Sequence, residues 1–256
     1  MLRIRIIPCL LLKDGSLVKT VRFRKPAYIG DPVNTVRIFN ELEVDELAFL
    51  DIDASVERRV PAFATLQRIA DECFMPLAYG GGIRDVDSAE RILQMGFEKL
   101  IVNSAALENP TLITELAQRF GSQAVIASID VKRGLFGRKR VVSRSARRSH
   151  PLEPRQWAVE LERRGAGEIL LTSVDREGTW EGFDVALTAE VSAAVGVPLI
   201  AHGGGGSLEH IRAVIHEGRA SAVALGSLVV YQSRGMGVLV NFPDRTALAG
   251  AMAGFA

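Results

Sequence analysis

A closed (β/α)8 (TIM) barrel is the fold this sequence predicts, and three observations carry it. Short apolar runs of strand length recur eight times along 256 residues, without polar alternation. That is the pattern of parallel strands buried on both faces. Segments of helical period lie between them, opened by cap residues and closed by glycines. The second half of the chain also repeats landmarks of the first at a nearly fixed spacing. Eight strands alternating with helices in about 250 residues is the count of such a barrel. An open doubly wound sheet would show fewer strands and a glycine-rich first turn, whereas the first turn here is Lys13-Asp14-Gly15.

The strands are expected at Ile4–Leu12, Glu46–Ile52, Pro76–Tyr79, Lys99–Val102, Ala124–Ile129, Glu168–Thr172, Pro198–Ala201 and Ser221–Leu225. The helices are expected at Asp31–Leu42, Arg59–Cys73, Asp85–Met95, Pro110–Phe120, Pro154–Arg164, Asp184–Val195 and Ser207–Glu217. Asp31-Pro32 and Asn109-Pro110 are a cap followed by proline at the first helical position. Met95-Gly96, Arg164-Gly165, Val195-Gly196 and Glu217-Gly218 are glycine stops. Leu50-Asp51-Ile52-Asp53 answers Thr172-Ser173-Val174-Asp175 at a separation of 122 residues. Gly80-Gly81-Gly82 answers Gly203-Gly204-Gly205, and Val102-Asn103-Ser104 answers Leu225-Gly226-Ser227, both at 123. One domain over 1–256 follows, with half-barrels of about 1–122 and 123–240.

Hydrophobic residues make up 48% and charged residues 24%, which excludes a disordered or fibrous chain. The net charge of +1 calls for neither nucleic acid nor a membrane. Two cysteines, Cys9 and Cys73, build no disulfide framework, so a reducing, cytoplasmic setting is expected. Met1–Leu12 is basic and then apolar, but Pro8 interrupts it and Lys13-Asp14-Gly15 follows, so it reads as a buried strand rather than a signal peptide.

Each glycine cluster follows a strand and precedes a helix, where backbone N–H groups can approach an oxyanion closely. The partner loops Asn103-Ser104 and Gly226-Ser227 end the next strand in each half. Two phosphate sites facing each other across the barrel mouth are therefore expected, against the plainer reading of tight barrel turns. Candidates for chemistry between them are Asp51, Asp53, Asp130, Asp175 and Glu177. Asp130 is the sharpest, because it closes an apolar run where an acid is costly unless used or paired. At the opposite end, Arg5, Glu46, Lys99 and Glu168 stand at the starts of four strands. They can meet as a closed ionic ring on the floor, either a plug or a functional device. A basic run over Arg138–Arg148 contains no acid. Cys9 and Cys73 read as packing residues, with no zinc spacing. His150, His210 and His216 have no metal spacing either, and Trp157 and Trp180 read as packing. His202, before the second glycine cluster, can line the site or sit satisfied in the core. No metal and no cofactor is implied.

The segments Arg5-Ile-Ile-Pro-Cys-Leu10, Phe49-Leu-Asp51, Gly80-Gly-Gly-Ile-Arg84, Val102-Asn-Ser-Ala-Ala106, Phe120-Gly-Ser-Gln123, Gly165–Ser173 and Asp175-Arg-Glu-Gly-Thr179 resemble HisF, the cyclase subunit of imidazole glycerol phosphate synthase. The likeness runs to about Tyr231. It implies a lyase-type cyclase barrel that receives ammonia from a HisH-like glutaminase at its N-terminal face. It places phosphate on Gly81, Gly82, Asn103 and Ser104 in one half. In the other half it places phosphate on Gly178, Thr179, Gly203, Gly204 and Ser227, with Gly226 beside it. It makes Arg5, Glu46, Lys99 and Glu168 an ammonia gate, and Asp130 one of two essential aspartates. Leu11 stands where the other should be. Glu177, His202, Asp53 and the basic segment Arg138–His150 also depart from the pattern, as does the tail after Val238. These departures resemble a WbuZ-type paralogue subgroup working in lipopolysaccharide sugar amidation beside an N-acetyl sugar amidotransferase. The open alternatives are a histidine-biosynthesis cyclase using another acid (Asp14, Asp51 or Asp53) and a non-catalytic ammonia-conducting scaffold. A phosphoribosyl isomerase of the sister barrel family is more distant, having no use for a floor gate.

Overall fold

The structure, a computed structural model, describes residues 4–134 and 137–252. The chain opens with β1 (Arg5–Lys13), turns back through a hairpin of β2 (Ser16–Val21) and β3 (Arg24–Gly30), and passes through α1 (Pro32–Glu41) into β4 (Leu47–Asp51). The short α2 (Ala54–Glu57) and then α3 (Phe63–Glu72) lead to β5 (Leu77–Gly80), and α4 (Val86–Gln94) leads to β6 (Lys99–Val102). After α5 (Ser104–Glu108) and α6 (Thr111–Phe120), β7 (Val125–Arg133) begins the second half and carries its own hairpin, β8 (Lys139–Ser143) and β9 (Arg148–His150). Then follow α7 (Pro154–Arg163), β10 (Glu168–Ser173), α8 (Val185–Ser192), β11 (Leu199–His202), α9 (Leu208–His216), β12 (Ala222–Leu225), α10 (Ser227–Val230) and α11 (Arg245–Met252).

Strands β1, β4, β5, β6, β7, β10, β11 and β12 pair in parallel, each with the next, and β12 returns to β1, so the barrel closes as expected. All eight apolar runs are these strands. Their outward side chains, such as Phe49, Tyr79, Leu100 and Ile169, pack with the helices' apolar stripes (Phe39, Leu66, Ile92, Leu116) into one continuous outer core. Each such side chain contributes ~1.5–3 kcal/mol when fully buried. The inward side chains are smaller: Ile7, Cys9, Ala48, Ala78, Ala222 and Ala224 among them. They leave an apolar cavity on the barrel axis with room for about one water-sized molecule.

The helix starts follow their caps. Asp31 accepts from the Asn34 N–H at 2.9 Å and Asp85 from Ser88 at 2.7 Å, each cap stabilising by ~1 kcal/mol. The helix expected from Arg59 begins instead at Phe63. Arg58 takes a left-handed conformation and ends α2, and Pro61 biases Val60 away from helical backbone.

Two antiparallel hairpins were not foreseen. Each extends the first strand of a half-barrel, so they belong to the internal repeat. Asp14 and Gly15 both have positive φ (49° and 75°) between the pairs Lys13–Ser16 and Leu12–Leu17. That is a two-residue type I′ turn, for which Asp-Gly is a favoured sequence.

The repeat also needs one adjustment. β5 ends at Gly80 and β11 at His202, so Gly81 corresponds to Gly203, at 122 residues. A Cβ at Gly81 would lie 2.8 Å from the Asp51 carbonyl oxygen, and one at Gly203 would lie 2.6 Å from that of Ser173.

Candidate active site at the barrel mouth

Strand register places eight residues in one tier at the C-terminal mouth. In the first half, Leu11 pairs with Leu50, Leu50 with Gly80, and Gly80 with Ile101. In the second, Asp130 pairs with Thr172, Thr172 with His202, and His202 with Ala224. Leu50 and Thr172 are repeat partners, so Leu11 occupies the position that Asp130 occupies in the other half. The first half of the tier is wholly apolar and the second carries an acid, a hydroxyl and an imidazole. All but Ala224 line a single cavity of about 360 Å³.

Asp130 is half-buried, and its carboxyl is pushed up to about 7. Burial is the main cause and the nearby Glu177 charge adds to it, while hydrogen bonding from Thr172 and Asn103 pulls the other way. Near neutrality it can therefore give or take a proton. The His202 imidazole is pushed down to about 4 by burial and by the Lys19 charge, against Glu177. Its Nδ1 lies 3.1 Å from Thr172 Oγ1.

The other candidate acids are engaged in structure. Asp51 is held at both oxygens by Arg59 (2.7 and 2.8 Å) and caps the N–H groups of Asp53 and Ala54. Asp53 pairs with Lys13, and Asp175 accepts from the Arg133 N–H at 2.7 Å. Glu177 is buried against the Lys19 ammonium and also accepts from Thr20 Oγ1 and the Phe23 N–H. Asp14 is exposed on the hairpin turn.

The two loop sets expected to hold phosphate differ. Gly81, Gly82, Asn103 and Ser104 line the open cavity, and Asn103 Oδ1 is buried there without a hydrogen-bond partner. Gly178, Gly203, Gly204, Gly226 and Ser227 surround a space for about one water-sized molecule. The Lys19 stem fills the rest, so a Cβ at Gly226 would lie 2.9 Å from Lys19 Cε. Thr179 is set in the adjoining groove, its Oγ1 donating to the Arg176 carbonyl at 2.7 Å. Glycine at 81, 203 and 204 is also demanded by neighbouring backbone, so tight packing accounts for part of each cluster.

The basic run forms the β8–β9 hairpin. Its tip has Arg144, Ser145 and Ala146 all at positive φ and folds over the first loop set. The Arg144 N–H donates to Ser104 Oγ (3.1 Å) and Ser145 Oγ to the Ile52 carbonyl (2.6 Å). Arg144 and Arg147 line the cavity. Sequence reasoning missed Lys19, although it shares the buried face of β2 with Leu17 two residues before it.

At the floor the four expected charges do meet. Arg5 bonds Glu46 (2.7 Å) and Glu168 (2.5 Å), and Lys99 bonds Glu46 (3.2 Å) and Glu168 (2.8 Å). Each cation touches both anions, so the ring is closed. Glu46 also lines the axial cavity, and Ile101 lines both that cavity and the mouth. Among the described residues no cluster of three His, Cys, Asp or Glu side chains is arranged to hold a metal ion, and no helix is long and apolar enough to cross a membrane.

Residues 5–234 match the family described as histidine biosynthesis protein. The chain is 48% identical over 244 residues to a Pseudomonas aeruginosa protein named "Putative imidazole glycerol phosphate synthase subunit hisF2", covering 95% of this chain and 97% of that one. It is 47% identical over 229 residues to imidazole glycerol phosphate synthase subunit HisF of Myxococcus xanthus, covering 90% of each. It is 44% identical over 227 residues to the subunit of that name from Alkaliphilus metalliredigens, covering 89% of this chain and 90% of that one. The closed eight-stranded barrel, its two-fold mouth and these matches agree, and the chain belongs to the histidine biosynthesis protein family as a HisF-type barrel.

Proposed function

We propose that this chain is the barrel subunit of a glutamine-dependent amidotransferase. A HisH-like glutaminase docks on its N-terminal face, ammonia passes the floor ring and the apolar axis, and a phosphorylated acceptor waits at the mouth. The observation that carries this reading is the closed Arg5–Glu46–Lys99–Glu168 ring beneath an axial cavity. A buried ring of ion pairs is weak support for stability, because each charge loses hydration, so a conducting role explains it better than a plug. Phe74, 87% exposed just before β5, offers a partner an apolar contact on the same face.

The acceptor we infer is a phosphorylated acetamido sugar of surface-polysaccharide synthesis, supplied to or shared with an N-acetyl sugar amidotransferase. Leu11 removes one proton-transfer group from the mouth, which disfavours the two-acid ring closure of histidine synthesis. The Arg144–Arg147 tip adds positive charge over the first phosphate loop. Cyclisation of the histidine-pathway ribonucleotide is the second reading, favoured by the retained Asp130 with its carboxyl near neutrality.

The test is the ratio of glutamine hydrolysed to product amidated in the complex reconstituted with the glutaminase. The wild type should stay near one, while Lys99→Ala and Arg5→Ala should bind the glutaminase but hydrolyse several-fold more glutamine than they use. A ratio unchanged in both variants makes the ring a structural plug.

A further inference from the structure

The second half of the mouth holds a chain of polar groups that crosses three adjacent strands. Asp130 on β7, Thr172 on β10 and His202 on β11 are consecutive register partners. Thr172 stands beside Asp130 as its register partner on one side, and its Oγ1 lies 3.1 Å from His202 Nδ1 on the other. The His202 ring makes no other hydrogen bond among the described residues, and it lines the mouth cavity. Its Nε2 is therefore the ring atom left to meet a ligand. A single hydroxyl between an acid and an imidazole can donate to only one of them at a time.

We propose that Asp130, Thr172 and His202 form a proton relay in which His202 Nε2 is presented to the ligand and stands in for the carboxylate absent at Leu11. The relay has two states. With Asp130 ionised, Thr172 donates to the carboxylate and accepts from Nδ1–H, leaving a lone pair on Nε2. With Asp130 protonated, its O–H donates to Thr172, Thr172 donates to Nδ1, and Nε2 carries the proton. When Nε2 takes a proton from a ligand, the Nδ1 proton passes to Thr172 and the Thr172 proton to Asp130. The ligand loses one proton, Asp130 gains one, and the imidazole changes tautomer without becoming charged. Thr172 is a positioning residue in this scheme.

The surroundings favour such neutral-ring shuttling. Glu177, after β10, and Lys19, on β2, are the charged groups facing His202, and they oppose one another. Cys9 on β1 and Glu177 face Asp130. Burial keeps the ring uncharged at neutral pH while the acid titrates near pH 7.

The relay rests on reading this mouth as a ligand site, but it can be tested with neither ligand nor glutaminase. Nitrogen-15 resonances of the histidine rings, with His202 assigned through His202→Gln, distinguish the two neutral tautomers and the charged ring. In the wild type, the His202 proton should move from Nδ1 to Nε2 as the pH falls from 9 to 5, with its midpoint near 7. Asp130→Asn should hold one tautomer throughout, and Thr172→Val should abolish the pH response. A wild-type ring fixed in one tautomer over that range overturns the relay. So does a charged ring above pH 6, or a response that survives Asp130→Asn. Failure of ammonia transfer alone would leave these spectra unchanged.

Discussion

The two halves of the barrel are built alike and equipped differently. Both open on a long strand that turns back into an antiparallel hairpin. Both cross a neighbouring strand at a left-handed glycine, and both start a short helix at a serine, Ser104 or Ser227. At the tier of the barrel mouth, however, Leu11, Leu50, Gly80 and Ile101 stand against Asp130, Thr172, His202 and Ala224. The repeat holds where backbone crosses backbone, because a Cβ there would collide. It lapses where a side chain only faces the cavity, and in this tier the acid and the imidazole both stand in the second half.

The largest expected effect comes from placing a carboxylate in the first half of the tier, at Leu11. With ammonium salts and the ribonucleotide of histidine synthesis, Leu11→Asp should form imidazole glycerol phosphate ~10²-fold or more faster than the wild type. Wild-type turnover of about 1 s⁻¹ or more would show that the second half suffices alone, and the histidine-pathway reading would win.

Next is the clasp between the first hairpin and the second half. Lys19→Met leaves Glu177 buried without its ion partner, and should lower stability by about 3–5 kcal/mol in urea unfolding. Lys13→Met, whose pair with Asp53 is a third exposed at the lysine, should cost less than about 1 kcal/mol. Equal losses would erase the distinction between the two pairs.

The smallest of the three concerns pH. The Asp130 carboxyl is raised from 3.8 to about 7 in the folded chain, so between those values the folded state binds the extra proton and stability falls as pH rises. Asp130→Asn removes that loss. Relative to wild type it should gain stability at pH 8, by at most about 4 kcal/mol, and the gain should vanish below pH about 4. A difference constant from pH 4 to 8 would mean that Asp130 is not raised.

All eight strands were legible because a strand buried on both faces must be apolar throughout, and a charge ending such a run marks its register. That is how Arg5, Glu46, Lys99, Glu168 and Asp130 stood out. The hairpins were not, because β3 is largely exposed and β9 has only three residues, so neither shows a hydrophobic period. Asp51, Asp53 and Asp175 could not be separated from Asp130 in sequence. Their partners Arg59, Lys13 and Arg133 are set by the fold, Lys13 and Arg133 lying 40 and 42 residues away. Thr172 carries no sequence signal at all, and only register places it between an acid and an imidazole.

The two-residue turn at Asp14-Gly15 acts as a gauge for everything β2 carries. Side chains alternate across a strand, so a single residue inserted there would turn the whole of β2 over. Leu17 would be sent outward, the Lys19 ammonium would point into water, and Glu177 would be stranded. Relatives that lengthen this turn must do so by two residues or give up the clasp, so hairpin length reports, without any structure, whether a lysine is stowed against the second glycine loop.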